Sequence, residues 1–159
     1  MLHSLIGVIV SDRIVETFSV VINKPAEAVF AVISDVNNHA QWANGAYRIE
    51  DVSDPNFATG ATFTSYGVSR DSDNKRNDVT VMTNEPHSLF ALSSLEDGDE
   101  YINTFSLTPE GEGTKVDKVI DMPKPGGPMG MMFAGIFKSV IAPRIAEGMD
   151  KMKEVVEAQ

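Results

Sequence analysis

The residues best placed to do chemistry fall in two neighbouring stretches, Tyr101 to Leu107 and Lys115 to Met122. Both are rich in β-branched and aromatic residues, the composition of strands. Side chains alternate along a strand, so Tyr101, Asn103, Phe105 and Leu107 share one face, and Val116, Lys118, Ile120 and Met122 share another. A hairpin that pairs Leu107 with Val116 sets Phe105 opposite Lys118 and Asn103 diagonally near it. An amide and an ammonium then stand among apolar neighbours. A buried lysine needs a partner or a lowered pKa, because desolvation disfavours its charged form. In one reading Asn103 and Lys118 donate to a carbonyl or carboxylate of a ligand in a greasy cavity. In the other, Lys118 sits at a rim and snorkels to water, or pairs with a helix carboxylate.

Trp42, the single tryptophan, and nearby Tyr47 can close one end of such a cavity, since large amphipathic rings suit a partly wet wall. Plain packing of short helices on a sheet explains them equally well. Six of the eight methionines lie between Met122 and Met152, and unbranched, polarizable methionine adapts to varied shapes. The run Gly126 to Phe133, with hinge-capable glycines and with Met131 and Phe133, reads either as a mobile lid or as a connector whose side chains fill core. No cysteine is present, which excludes disulfides, thiolate metal sites and a cysteine nucleophile. No G-x-S-x-G elbow occurs. The three histidines, His3, His39 and His87, are far apart and lack metal-ligand spacing, so neither a metal nor a cofactor is expected. His39, in a polar helical stretch, and His87, after Pro86 in a turn, are both expected on the surface.

These residues need a scaffold. Val15 to Ile22 reads as a first strand; Pro25 then suits a first helical turn, and Val29, Phe30 and Ile33 repeat at helical spacing. Asp35 can cap a second short helix that runs to Trp42. Five or six strands follow: 47–52, 62–68, 79–83, 89–94, 101–107 and 115–122. They are separated by turn-forming Ser53 to Asn56 and by the acidic runs 71–78, 96–100 and 110–113. The run 71–78 reads as a solvated tip, without the ligand alternation of a calcium loop. The proline- and glycine-rich stretch 122–128 cannot continue a strand. Beyond it Phe137, Ile141, Ile145, Met149, Met152 and Val156 recur every three or four residues, one apolar stripe along a long helix with a kink or restart at Pro143. The expected architecture is α+β, a curved antiparallel sheet wrapped around a C-terminal helix, with a cavity between them. Phe63 and Phe90 from the third and fifth strands, Ile120, and Phe137, Ile141, Ile145 and Met149 from the helix complete the expected lining.

The 159 residues suit one domain, here an N-terminal extension over 1–14 and a ligand-binding domain over 15–159. Thirteen basic against 23 acidic residues give a net charge of -10, which repels nucleic acid and anionic lipid headgroups rather than attracting them. The apolar run Leu5 to Val10 is shorter than a signal-peptide core, and no long uninterrupted apolar stretch predicts a membrane span, so a cytoplasmic protein is expected. A homodimer stays open.

Several local patterns carry a family resemblance: Ile22-Asn23-Lys24-Pro25-Ala26-Glu27-Ala28-Val29-Phe30; Ser34-Asp35-Val36 followed by Trp42; Gly60-Ala61-Thr62-Phe63; and Leu107-Thr108-Pro109 with Gly113-Thr114-Lys115-Val116. From about Val15 to Ala158 the chain resembles the START-related helix-grip (SRPBCC) superfamily, in its polyketide cyclase/dehydrase-like branch. These patterns mark fold more than activity. The resemblance implies a deep pocket for lipids, polyketides or other apolar molecules. Three functions follow: binding or transport of a hydrophobic or amphipathic small molecule, a polyketide cyclase/dehydratase-like enzyme using the same cavity, or a protein-interaction module of chaperone-activator type. In the enzyme, Lys118 with Tyr47, Asn103 or Tyr101 would supply the polar groups.

Overall fold

The computed structural model describes residues 13–43, 47–67 and 75–159. Seven strands, β1 (Arg13–Ile22), β2 (Arg48–Glu50), β3 (Thr62–Tyr66), β4 (Asn77–Glu85), β5 (Leu89–Glu96), β6 (Asp99–Glu110) and β7 (Gly113–Pro123), form one curved antiparallel sheet ordered β1-β7-β6-β5-β4-β3-β2. From β2 onward each strand pairs with its successor, as short polar turns require. Between β1 and β2, at opposite edges, the chain crosses one face through α1 (Ala26–Ser34), a 3-10 turn (Val36–Asn38) and α2 (His39–Trp42). After β7 come α3 (Gly127–Ile136), a wide π turn (137–141) and α4 (Ala142–Glu157). This is the helix-grip arrangement read from the sequence. The acidic tip at 71–78 and the N-terminal extension lie largely outside the described residues; Asn77 and Asp78 belong to β4.

The β6–β7 register is the one alternation demands: Leu107 faces Val116, Phe105 faces Lys118, and Asn103 faces Ile120. On the other side of β7, Phe18 of β1 stands opposite Lys118. Strand β1 starts at Arg13, two residues earlier than its apolar composition suggests, because the Arg13 guanidinium binds Asp121 and the Glu100 carbonyl. The pairing of β4 with β5 slips between Val81 and Thr83, an irregularity that bends the sheet. Its concave side meets Val29, Ile33, Val36 and Phe90, all fully buried.

Helix α4 lies against β1 and α2, and Met149, Met152 and Val156 fill the space between them. The Asn23 amide donates to Glu157 at 2.8 Å, tying the last helical turn to the end of β1. Pro143 stands in the first turn of α4, where the main helix begins after the π turn, the restart that its place in the sequence suggests. Its ring would crowd the Ser139 carbonyl, and it has no N–H to donate there. The preceding turn widens, so that the Ala142 amide bonds the Phe137 carbonyl five residues back. The helix also starts ten residues before Phe137, taking in Gly127 to Ile136, which composition marks as connector or lid. Gly130 permits this, since a Cβ there would run into the Pro125 carbonyl.

Candidate functional site

Asp35 ends α1 and accepts from the Asn37 amide at 3.0 Å, which turns the chain sharply into α2. The turn brings His39 under the end of α1, where its Nε2 lies 2.7 Å from the Ile33 carbonyl. That carbonyl belongs to the last turn of α1, whose acceptors lack intrahelical donors. Trp42, three residues on, shares the inward side of α2 with His39. The two rings stack at 4.6 Å between centroids, and the Trp42 ring meets Phe105 edge-on at 5.9 Å.

Opposite these rings lies a cavity of about 110 Å³. Its helical wall is His39, Trp42 and Ala43, and Tyr47 closes one side. The sheet supplies Ser65, Val79, Leu92, Ser94, Asn103, Phe105 and Lys118 from β3 to β7. Pockets for drug-sized ligands are roughly 300–1,000 Å³, whereas an apolar hollow of about 150 Å³ accepts benzene. At about 110 Å³ the hollow is smaller than that, so a short chain fits as it stands and a ring must displace side chains.

Five of the residues singled out in the sequence therefore meet around one space: Trp42, Tyr47, Asn103, Phe105 and Lys118. The others lie elsewhere. Phe63 packs on Phe57, and Phe90 meets Phe30 and His39 edge-to-face in the core. Tyr101 and Ile120 continue the inward rows of β6 and β7 beyond the cavity wall. Phe137 and Met149 are buried packing residues, Ile141, Ile145 and Phe133 are half-buried or more exposed, and Met131 is 80% exposed. Among the described residues no side chain of α3 or α4 lines this cavity. The physical reason is the position of α4: it packs on β1 and α2, so that α2 and not α4 faces the cavity.

His39 is buried, contrary to the surface position its polar neighbours suggest. Burial lowers its pKa to about 4; the Ile33 carbonyl opposes this in part, the Lys118 charge adds to it, and Asp35 opposes it. The imidazole is neutral at pH 7. Because its Nε2 faces a carbonyl, Nε2 carries the hydrogen and Nδ1 is the ring's acceptor. Desolvation lowers Lys118 to about 8. Its Nζ has no hydrogen-bond or carboxylate partner among the described residues, and lies 5.2 and 5.7 Å from the centroids of Phe105 and Trp42. Burial raises the Tyr47 hydroxyl, which Ser65 partly offsets through a hydrogen bond. The Trp42 indole N–H is buried and has no acceptor among the described residues. The walls thus hold one cation without an acceptor among the described residues, Lys118, and a neutral imidazole, His39. Such a set suits an oxygen with partial or full negative charge on an otherwise apolar molecule.

Residues 13–157 match the family model for "Polyketide cyclase / dehydrase and lipid transport". The chain belongs to that family. Solved structures of similar fold include the protein TTHA0849 from Thermus thermophilus, with a TM-score of 0.68, 16% identity, and coverage of 91% of this chain and 98% of that one. KanY matches with a TM-score of 0.63 and 20% identity over 92% of this chain and 99% of its own. DynU16, from the dynemicin biosynthetic locus, matches with a TM-score of 0.54 and 24% identity over 89% of this chain and 48% of its own. At these identities the structures establish the fold that the family shares, and no more. No curated protein matches the sequence.

The polar members His39, Ser65 and Ser94 escape a reading of the sequence that follows charged and aromatic residues. Alternation does point to two of them: Ser65 shares a strand face with Phe63, and Ser94 with Leu92. For His39 the signal is its spacing of three from Trp42 after the Asp35 cap.

Proposed function

We propose that the chain binds a small, mainly apolar molecule bearing one carbonyl, enolate or carboxylate oxygen, held between α2 and the sheet with that oxygen on the Lys118 ammonium. The observation that carries this is the Lys118 ammonium, desolvated among aromatic rings with no carboxylate beside it among the described residues. Such a cation costs stability unless something anionic joins it, which is what a ligand can do. The family description is consistent with this, since polyketides and lipids are both apolar molecules with carbonyl or carboxyl oxygens. The test is calorimetric titration with a short-chain carboxylate and its uncharged methyl ester. The carboxylate binds more tightly to the native protein, and Lys118→Met removes that preference, by about tenfold or more, while sparing the ester. Equal affinities for acid and ester in the native protein would refute the assignment.

A second reading, cyclase-type catalysis, is favoured by one feature: the neutral His39 imidazole and the Lys118 ammonium line the same cavity. A base there can take a proton next to a carbonyl while Lys118 stabilises the resulting enolate, the pairing an intramolecular aldol closure requires. Substrate depletion over time, lost in His39→Gln, separates this reading from stoichiometric binding.

A further inference from the structure

The front half of the long helix inverts the usual sorting of side chains. In α3 and the π turn, Met129, Met132, Ile136 and Val140 follow one another at spacings of three, four and four, so they form one stripe. That stripe faces water: exposures are 62%, 61%, 44% and 43%, and Met131, on another side of the helix, is 80% exposed. The adjacent side, Gly130 and Phe137, about a quarter-turn round the helix, is buried against the protein. Isolated apolar residues on a surface need no explanation, but a contiguous stripe on one helix marks an interaction site.

Charge says what the partner is. From Met122 to Ala146 the chain contains no aspartate or glutamate, and its ionisable residues are Lys124, Lys138 and Arg144. The rest of the molecule holds all 23 carboxylates against ten cations. The two carboxylates that border the segment are neutralised locally: Asp121 by Arg13, and Glu147 by Lys151 at 3.2 Å. An apolar ridge with cations and no anions, on a strongly acidic protein, is complementary to a surface that is greasy beneath and negative on top. We infer that α3 and the π turn dock on an anionic lipid bilayer, lying in its headgroup region with Met129, Met132, Ile136 and Val140 inserted and Lys138, on the far side of the helix, still within a Debye length of the lipid charges.

Lying on the bilayer, rather than crossing it, follows from the second half of the same helix. By length and composition Gly127–Glu157 meets the requirement for a span. Crossing would strip Met149, Met152 and Val156, all buried, from the sheet. The inference stands apart from the cavity reading, because its probe contains no cavity ligand.

The experiment is sedimentation of the full chain with vesicles of phosphatidylcholine alone, and of phosphatidylcholine with about a third phosphatidylglycerol. The native protein pellets with the anionic vesicles, and less so at high salt. Ile136→Glu lowers partitioning at least tenfold and Lys138→Glu fivefold or more, each with an unchanged circular dichroism spectrum, since both sites are exposed. Partitioning that ignores lipid charge, or survives Ile136→Glu, overturns the inference. So does a protein that binds no vesicles but forms a dimer that Ile136→Glu dissociates; the ridge would then belong to a second copy of the chain.

Discussion

Two regions of this molecule break the ordinary rule of polar outside and apolar inside, and they break it in opposite senses. At the cavity a cation and a neutral imidazole are enclosed by aromatic rings. On α3 a row of methionine, isoleucine and valine faces water. The energetic consequences differ. A desolvated charge acts on the folded state and lowers its stability in every molecule. Apolar side chains exposed both before and after folding change stability little, and act on association instead. The interior anomaly should therefore be visible in unfolding, and the exterior one in partitioning.

The strongest challenge to that contrast is Lys118→Met, a change of similar shape that removes the charge. With Lys118 lowered from 10.5 to about 8, the folded chain at pH 7 tolerates a charge it disfavours, and the variant is more stable by roughly 2–3 kcal/mol. For a domain of this size that raises Tm by several degrees, at about 2–4 °C per kcal/mol. The sign can be checked by pH. Between 8 and 10.5 the unfolded chain still holds the proton that the folded chain has released, so native stability rises with pH and the gap to the variant closes. A variant less stable than the native protein at pH 7 would mean that the ammonium has a stabilising partner.

His39 gives the next largest effect, in a different window. Its pKa falls from 6.5 to about 4 on folding, so its contribution is complete above pH 6.5 and is lost as pH falls towards 4, where the unfolded chain binds a proton that the folded chain refuses. By about pH 4.5 the loss is about 2 kcal/mol. His39→Gln removes this slope: urea unfolding near neutral pH and again near the lower end of the window shows a smaller difference in the variant than in the native protein. Equal differences would place the acid sensitivity in other groups.

How much of this was legible in the sequence depends on whether a residue's position is fixed by local rules. The β6–β7 register follows from alternation and a tight turn, so Phe105 and Asn103 around Lys118 could be placed without a structure. So could the Asp35 cap, a local hydrogen bond two residues long. His39 could not, because its burial depends on the angle between α1 and α2 and on which helix covers which strands. The helical periodicity from Phe137 onward was readable, but α4 covers β1 and α2 rather than roofing the cavity, and that choice is tertiary. Gly127 to Ile136 misled in another way. Glycine and proline there suggest a connector, yet Pro128 sits in the first helical turn, where its missing N–H costs nothing, and Gly130 gives the close approach to Pro125.

The smallest expected change in stability belongs to the outer region, and its smallness is the point. Ile136 is 44% exposed and lies on the water side of α3. Replacing it with serine removes an apolar side chain already largely hydrated, and serine is only a slightly poorer helix former, so the unfolding free energy should move by less than about 0.5 kcal/mol. The same substitution should cut partitioning to anionic vesicles several-fold, since a side chain that inserts into lipid contributes there what it cannot contribute in water. Chemical unfolding and vesicle sedimentation of one preparation read both quantities. A large loss of stability would show that Ile136 is covered in solution, by another part of this chain or a second copy, and the inversion on α3 would then be ordinary burial.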